Sequence, residues 1–103
     1  MSTVDTARVR REALRWLILL TLNNARPIGA FEGPILSVAQ AEYPDATAHE
    51  LRRELDYLHD RELVRVDKQP SGRWFAELTR FGVDVAEYTV ACEPGIARPE
   101  KYW

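Results

Sequence analysis

Seven side chains in the middle of the chain have the chemistry to contact a nucleic acid. The adjacent Arg52 and Arg53 are the strongest candidates, because a guanidinium can donate two parallel hydrogen bonds to guanine or hold a phosphate. His49 could reach a base edge or a phosphate, and Tyr57 is expected on the same outward side. Three further basic side chains that could hold flanking phosphates are Arg65, Lys68 and Arg73.

The distribution of charge weakens this interpretation. The formal net charge is −2, whereas a domain that binds nucleic acid is typically basic. Residues 1–30 hold five arginines and two carboxylates, so the acidic excess lies in residues 31–103. Residues 47–62 alone hold five carboxylates against three arginines. Arg52 and Arg53 could therefore equally belong to a solvated, ion-paired helix face.

The segment that carries the first four candidates is predicted to be a helix. Thr47 and Glu50 form the Thr-x-x-Glu pattern of a capping box, in which each side chain satisfies the backbone N–H of the other residue. Leucines then recur at positions 51, 55 and 58, which places them on one face. We expect a helix from about Ala48 to Arg61 with this face in the core.

A hairpin is predicted to carry the other three candidates. Residues 63–68 alternate between apolar and polar side chains, and so do residues 74–79, as half-buried strands do. The turn between them contains Pro70 and Gly72. Thr79 is expected to cap a final helix that extends to about Ala91.

The first half of the chain predicts two more helices. The first runs from about Asp5 to Asn23, and its apolar run from Trp16 to Leu20 leaves almost no polar side. Such a helix is either buried under the others or shared with a second copy. The second helix opens at Glu32 with Pro34 in its first turn and ends near Glu42, before Pro44.

Two parts are expected: a domain over residues 1–92 and a tail over residues 93–103. Two prolines and a glycine exclude a helix from the tail. The tail ends in Tyr102 and Trp103, which we expect to dock onto the domain or onto another chain. A homodimer through the first helix or the tail is thus one expectation.

The residues favour neither an enzyme nor a cofactor or metal site. There is no Gly-rich phosphate loop, and the single thiol of Cys92 can form no internal disulfide. His49 and His59 lie ten residues apart on one predicted helix, so they do not share a face for a metal ion. No secretory signal or membrane-spanning run is evident, and a cytoplasmic location is expected.

Two motifs resemble winged helix-turn-helix regulators of the MarR and PadR types. Leu51–Leu58 followed by Leu63-Val64 is similar to the passage from their third helix into the wing, and Leu78–Gly82 is similar to their entry into the next helix. The resemblance covers about Phe31–Tyr88. It implies a mainly α fold of the α+β class, with three helices, a two-stranded wing, a short C-terminal helix and an extended tail.

The resemblance also implies a small transcriptional regulator that binds double-stranded DNA as a dimer. The helix of residues 47–61 would enter the major groove, and the wing of residues 65–74 would follow the backbone. The tail sequence is also similar to small proteins of Mu-like phages and prophages. Because the helix of residues 47–61 is acidic, the alternative is a protein–protein interaction module, such as a phage-encoded adaptor or assembly factor.

Overall fold

The computed structural model describes residues 4–101, which form four helices and three strands. In chain order these are α1 (Thr6–Asn24), β1 (Ala30–Phe31), α2 (Glu32–Glu42), α3 (Ala48–Asp60), β2 (Val64–Lys68), β3 (Trp74–Leu78) and α4 (Arg80–Ala86). The predicted order of helices and hairpin is confirmed. The architecture is the winged-helix type, with helices packed on one side of a small antiparallel sheet.

The leucine stripe of α3 forms the centre of the core. Leu51, Leu55 and Leu58 are buried, as predicted, and pack with the apolar side of α1 that includes Ile18 and Leu22. Burial of these side chains supplies the main driving force for folding. It also turns the opposite side of α3 outward.

The capping box at the start of α3 is only half formed. The Thr47 hydroxyl accepts a hydrogen bond from the backbone N–H of Glu50 at 3.2 Å, as expected. The Glu50 carboxylate does not bond back to Thr47. It accepts two bonds from the Arg10 guanidinium, at 2.7 and 2.8 Å, because a cation on α1 is a stronger partner than a neutral amide.

The sheet has one strand more than the predicted two-stranded wing. In the wing itself, β2 and β3 pair antiparallel from Val64↔Leu78 to Lys68↔Trp74. The short strand β1 adds to the other edge of β3, giving the order β1-β3-β2. Gly72 at the wing tip has a φ of +91°, a conformation that favours glycine.

Helix α4 is shorter than predicted, since it ends at Ala86 and not near Ala91. Tyr88 has a φ of +61°, so the backbone leaves the right-handed helical region there. The backbone N–H of Thr89 then bonds to the carbonyl of Asp84 at 2.8 Å, closing the turn. This turn directs the following chain back across the helices.

The tail packs on the body of the protein. Ile96 is buried in the main apolar cluster, and the backbone N–H of Ala97 bonds to the Glu12 carbonyl on α1 at 3.1 Å. Arg98 donates to the carbonyls of Val85 and Val90. Tyr102 and Trp103, which were expected to dock, lie outside the described residues.

Within residues 4–101, no helix has the length and apolar character that a membrane span requires.

Candidate nucleic-acid interface

The outward face of α3 lies opposite the leucine stripe. Its members recur at helical spacing and are His49, Arg53, Asp56 and Asp60. The first half of this face therefore carries the basic side chains and the second half the acidic ones. His49 and Arg53, both predicted candidates, lie at the end where α3 begins.

Arg53 is much more exposed than its neighbour Arg52. Its side chain is 62% exposed, and its Nε lies 3.8 Å from Oε2 of Glu54. Among residues 4–101 it makes no hydrogen bond. Its N–H donors therefore remain available to an external acceptor, beside the long ion pair with Glu54.

Arg52, in contrast, is held by hydrogen bonds to other parts of the protein. Its guanidinium donates to both carboxylate oxygens of Glu32 on α2, at 2.6 and 2.5 Å. The same group donates to the carbonyl of Gly72 at the wing tip, at 2.7 Å, and lies 4.9 Å from the centre of the Trp74 ring. Arg52 thereby links α2, α3 and the wing.

The contact with Arg52 changes the pKa of Glu32. The hydrogen bonds from Arg52 lower the pKa of Glu32 below its ordinary value of 4.5. The sequence contained one signal for this pair, an acidic residue in the first turn of α2. It could not show that Arg52 lies near, because 20 residues separate the two.

Replacing Glu32 with glutamine is expected to lower the melting temperature by a few degrees at neutral pH. Because the folded-state pKa of Glu32 is lowered, its carboxylate stabilises the fold fully above about pH 4.5, and this contribution is lost as the pH falls through the lowered pKa. The difference in melting temperature between the wild type and E32Q should therefore shrink on acidification.

Thermal unfolding followed by circular dichroism from about pH 3 to pH 7 measures this difference. E93Q is the matched control, since the Glu93 carboxylate has no ion-pair partner among the described residues. A difference for E32Q that stays constant across the pH range would contradict the assignment.

One basic side chain of the wing, Lys68, lies beside α3. Lys68 lies 3.2 Å from Asp56 on the outward face of α3 and 4.4 Å from the centre of the Trp74 ring. Arg65 pairs across the strands with Glu77 at 3.1 Å, and both side chains keep much of their surface in solvent. The wing and the outward face of α3 therefore form one continuous surface.

Arg73 completes the basic side of the wing near its tip. Its guanidinium lies 3.8 Å from the centre of the Phe31 ring and forms no ion pair among residues 4–101. Stacking on an aromatic ring leaves the N–H donors at the edge of a guanidinium available. Arg73 therefore keeps its capacity to hold a phosphate.

Tyr57 lies on the flank of α3 that faces α1 and the tail. The Arg15 guanidinium stacks on its ring at 3.5 Å, and Arg61 donates a hydrogen bond to its hydroxyl. Gly95 of the tail packs closely against the same hydroxyl. Tyr57 also borders the outward face of α3, because it lines one surface hollow together with Arg53, Asp56 and Asp60.

The fold neutralises much of the negative charge in residues 47–62. Glu50 pairs with Arg10, Glu54 with Arg15 and Asp56 with Lys68. All three cations come from α1 or the wing, so they do not appear in a charge count restricted to α3. The acidity of this segment is consequently a weaker argument against nucleic-acid binding than its sequence indicates.

The described residues show no arrangement for metal chemistry. Within residues 4–101 no group of three or more His, Cys, Asp or Glu side chains could hold a metal ion. Cys92 is half-buried, and burial raises the pKa of its thiol. A thiol with a raised pKa is a poor nucleophile at neutral pH.

Comparison with solved structures shows that this chain is similar to a protein of known structure. The 1.70 Å crystal structure of a protein from Ralstonia eutropha JMP134, provisionally described as DNA-binding, matches with a TM-score of 0.63 and 26% sequence identity. The match covers 76% of this chain and 95% of that chain. The two proteins share a fold. No protein-family model matches the sequence, and no curated protein matches it either.

Proposed function

We propose that this protein binds double-stranded DNA, with α3 in the major groove and the wing along the flanking backbone. The contact between Lys68 and Asp56 carries the proposal, because it makes the wing and the outward face of α3 one surface. The likeness to a protein provisionally described as DNA-binding supports the same general function. Helix-in-groove docking with basic flanks is the usual geometry for such folds.

The predicted residues take different roles in this proposal. Arg53 and His49 face outward and contact base edges, whereas Arg65, Lys68 and Arg73 hold phosphates. Arg52 positions the wing against α3 through Glu32 and Gly72. Tyr57 lies beside Arg53 at the edge of this surface, where its ring is held by the stacked Arg15.

Replacing all three wing cations with alanine is expected to reduce the salt dependence of DNA binding. Removing one cation that holds a phosphate should make the slope of log K against log[salt] less steep by about 0.9, so R65A/K68A/R73A should change it by up to about 2.7. Fluorescence anisotropy with a labelled duplex, titrated at several salt concentrations, measures the slope. R53A should instead weaken binding with a much smaller change in this slope, because Arg53 contacts bases in the proposed complex.

Arg80 offers a matched control, because it is an exposed arginine in an ion pair with Asp84 on α4. R80A should leave both affinity and slope unchanged. Binding that does not depend on salt, or a triple variant with the slope of the wild type, would argue against the proposal. A protein–protein adaptor would then become the better interpretation.

Regulation of transcription from a cytoplasmic location is the biological role that we propose for this DNA binding. Motifs similar to MarR- and PadR-type regulators support it, and a tail similar to proteins of Mu-like phages suggests a phage or prophage setting. Chromatin immunoprecipitation of the tagged protein, with sequencing, would test this role. Enrichment of promoter regions is expected, and uniform recovery of DNA would contradict it.

A further inference from the structure

A charged hollow lies between α1 and α3. Its volume is about 520 Å³, and the six charged side chains that line it are Arg11, Arg15, Arg53, Glu54, Asp56 and Asp60. Three of them, Arg53, Asp56 and Asp60, belong to the outward face of α3. The hollow therefore continues the surface that is proposed to meet DNA onto α1.

The charges around this hollow leave a positive excess. Glu54 accepts a hydrogen bond from Arg15 at 2.8 Å, and Asp56 lies 3.2 Å from Lys68 of the wing. Once Lys68 is included, four cations face three carboxylates. An anion that entered the hollow would therefore meet a net attraction.

Arg11 is the cation of this group that the fold leaves unused. Three arginines of α1 are directed toward α3, and two of them bond to it: Arg10 donates to Glu50 at 2.7 and 2.8 Å, and Arg15 donates to Glu54. Arg11 is half-buried and makes no hydrogen bond or ion pair among residues 4–101. Its N–H donors remain available to an external acceptor.

The walls of the hollow argue against a small molecule as the occupant. Sites for small molecules are lined mainly by apolar side chains, with a few polar groups that orient the ligand. This hollow is lined mainly by charged side chains and opens to solvent. An extended polyanion that passes over the surface fits such a site better than a ligand that must be enclosed.

A DNA duplex presents phosphates on both flanks of a helix in its major groove. The groove is about 12 Å wide and admits one helix, so a backbone strand borders each flank. The wing contacts α3 through Arg52, whereas α1 lies on the side of Tyr57. These positions are five residues apart, which separates them by about 140° around the helix. The wing therefore serves one strand, and Arg11 lies on the side of the other.

We infer that Arg11 holds a backbone phosphate of the second DNA strand, on the α1 flank of α3. This inference rests on the DNA-binding proposal and adds an anchoring point to it. The guanidinium donates to the phosphate oxygens, a geometry that arginine forms well. With the wing on one flank and Arg11 on the other, contacts to both strands fix the orientation of α3 in the groove. Asp60 borders the same phosphate and opposes its binding.

Fluorescence anisotropy with a labelled duplex at several salt concentrations tests the role of Arg11. R11A should make the slope of log K against log[salt] less steep by about 0.9, whereas R11K should keep the slope because it keeps the charge. R80A is the matched control and should behave like the wild type, since Arg80 is exposed and pairs with Asp84 on α4.

The outcomes separate this inference from the proposal on which it rests. If the wild type binds with a salt-dependent affinity and R11A has the same slope, Arg11 holds no phosphate and only the present inference fails. If the wild type does not bind DNA, both fail. The melting temperature of R11A should equal that of the wild type, because Arg11 forms no bond within the described part of the fold.

The carboxylate of Asp60 tests where the phosphate lies. D60N should tighten duplex binding by about two- to fivefold, because it removes a negative charge beside the phosphate. Glu42 at the end of α2 is also exposed and unpaired among residues 4–101, so E42Q is the matched control and should have a much smaller effect. Equal effects of D60N and E42Q would show that only net charge matters, and would overturn the assignment to this hollow.

Competition by inorganic phosphate distinguishes a phosphate of the DNA backbone from a free one. At constant ionic strength, inorganic phosphate should displace the duplex no better than chloride, because the hollow is too open to hold a small anion tightly. Preferential displacement from the wild type, but not from R11A, would assign the hollow to a free anion and overturn the inference.

Discussion

Replacing Arg15 with methionine is expected to destabilise the protein by about 3–5 kcal/mol. The Arg15 side chain is 12% exposed, and its Nε donates to Glu54, which is 1% exposed, at 2.8 Å. The other carboxylate oxygen of Glu54 has no hydrogen-bond partner among residues 4–101. Without Arg15, the buried Glu54 carboxylate would lose the cation that chiefly compensates its charge. Unfolding would then be more favourable, because it returns this carboxylate to water.

The double variant R15M/E54M should recover most of this loss. Removing both charges leaves apolar side chains of similar length in the same space, which is often neutral or stabilising. R8M serves as the control, because Arg8 pairs with Glu12 at the surface. Urea denaturation followed by circular dichroism measures the free energy of unfolding. Equal stability of R15M and R8M would show that the buried pair contributes nothing specific.

Replacing Gly82 with alanine is expected to destabilise the protein by about 3 kcal/mol, the upper end for overpacked sites. A Cβ at Gly82 would lie far inside van der Waals contact with the Leu63 carbonyl oxygen, and 3.1 Å from the Leu63 carbonyl carbon. This oxygen also accepts hydrogen bonds from the backbone and the hydroxyl of Thr79. Because the obstacle is bonded backbone, it cannot rotate away as a side chain can.

Gly33 provides the matched glycine, since it also lies in the first turns of a helix. A Cβ there would meet nothing within 4 Å, so G33A should be neutral or stabilise by up to about 1 kcal/mol. The same denaturation experiment compares the two variants. If G82A were as stable as G33A, the close approach of α4 to Leu63 would not constrain the fold.

The contrast between these glycines shows what a sequence can reveal about the fold. Helix propensity alone predicts that Gly82 weakens α4 slightly. The structure shows that its missing side chain lets α4 start against the Leu63 backbone. Signals that act over a few residues were sufficient elsewhere: the Thr47 cap, the leucine stripe of α3 and the alternating strands correctly predicted the elements.

The candidate site was predictable only in part, because its arrangement depends on contacts between distant residues. The sequence indicated Arg52 and Arg53 as equivalent neighbours. The fold gives Arg52 two partners, each 20 residues away, and leaves Arg53 without a hydrogen bond among residues 4–101.

The sequence also did not predict where α4 ends. The left-handed conformation of Tyr88 ends this helix early, and it has no strong local signal in the residue type.

The hydrogen bonds of Arg52 also affect the entropy change when the protein binds a DNA duplex. A wing that hung freely from the sheet would have to be immobilised when a duplex arrived, and that loss of freedom would weaken affinity. Here Glu32 and the carbonyl of Gly72 hold the wing tip against α3 in the unbound protein. For the proposed complex, the wing is therefore preorganised, and little further ordering of its backbone is needed on encounter.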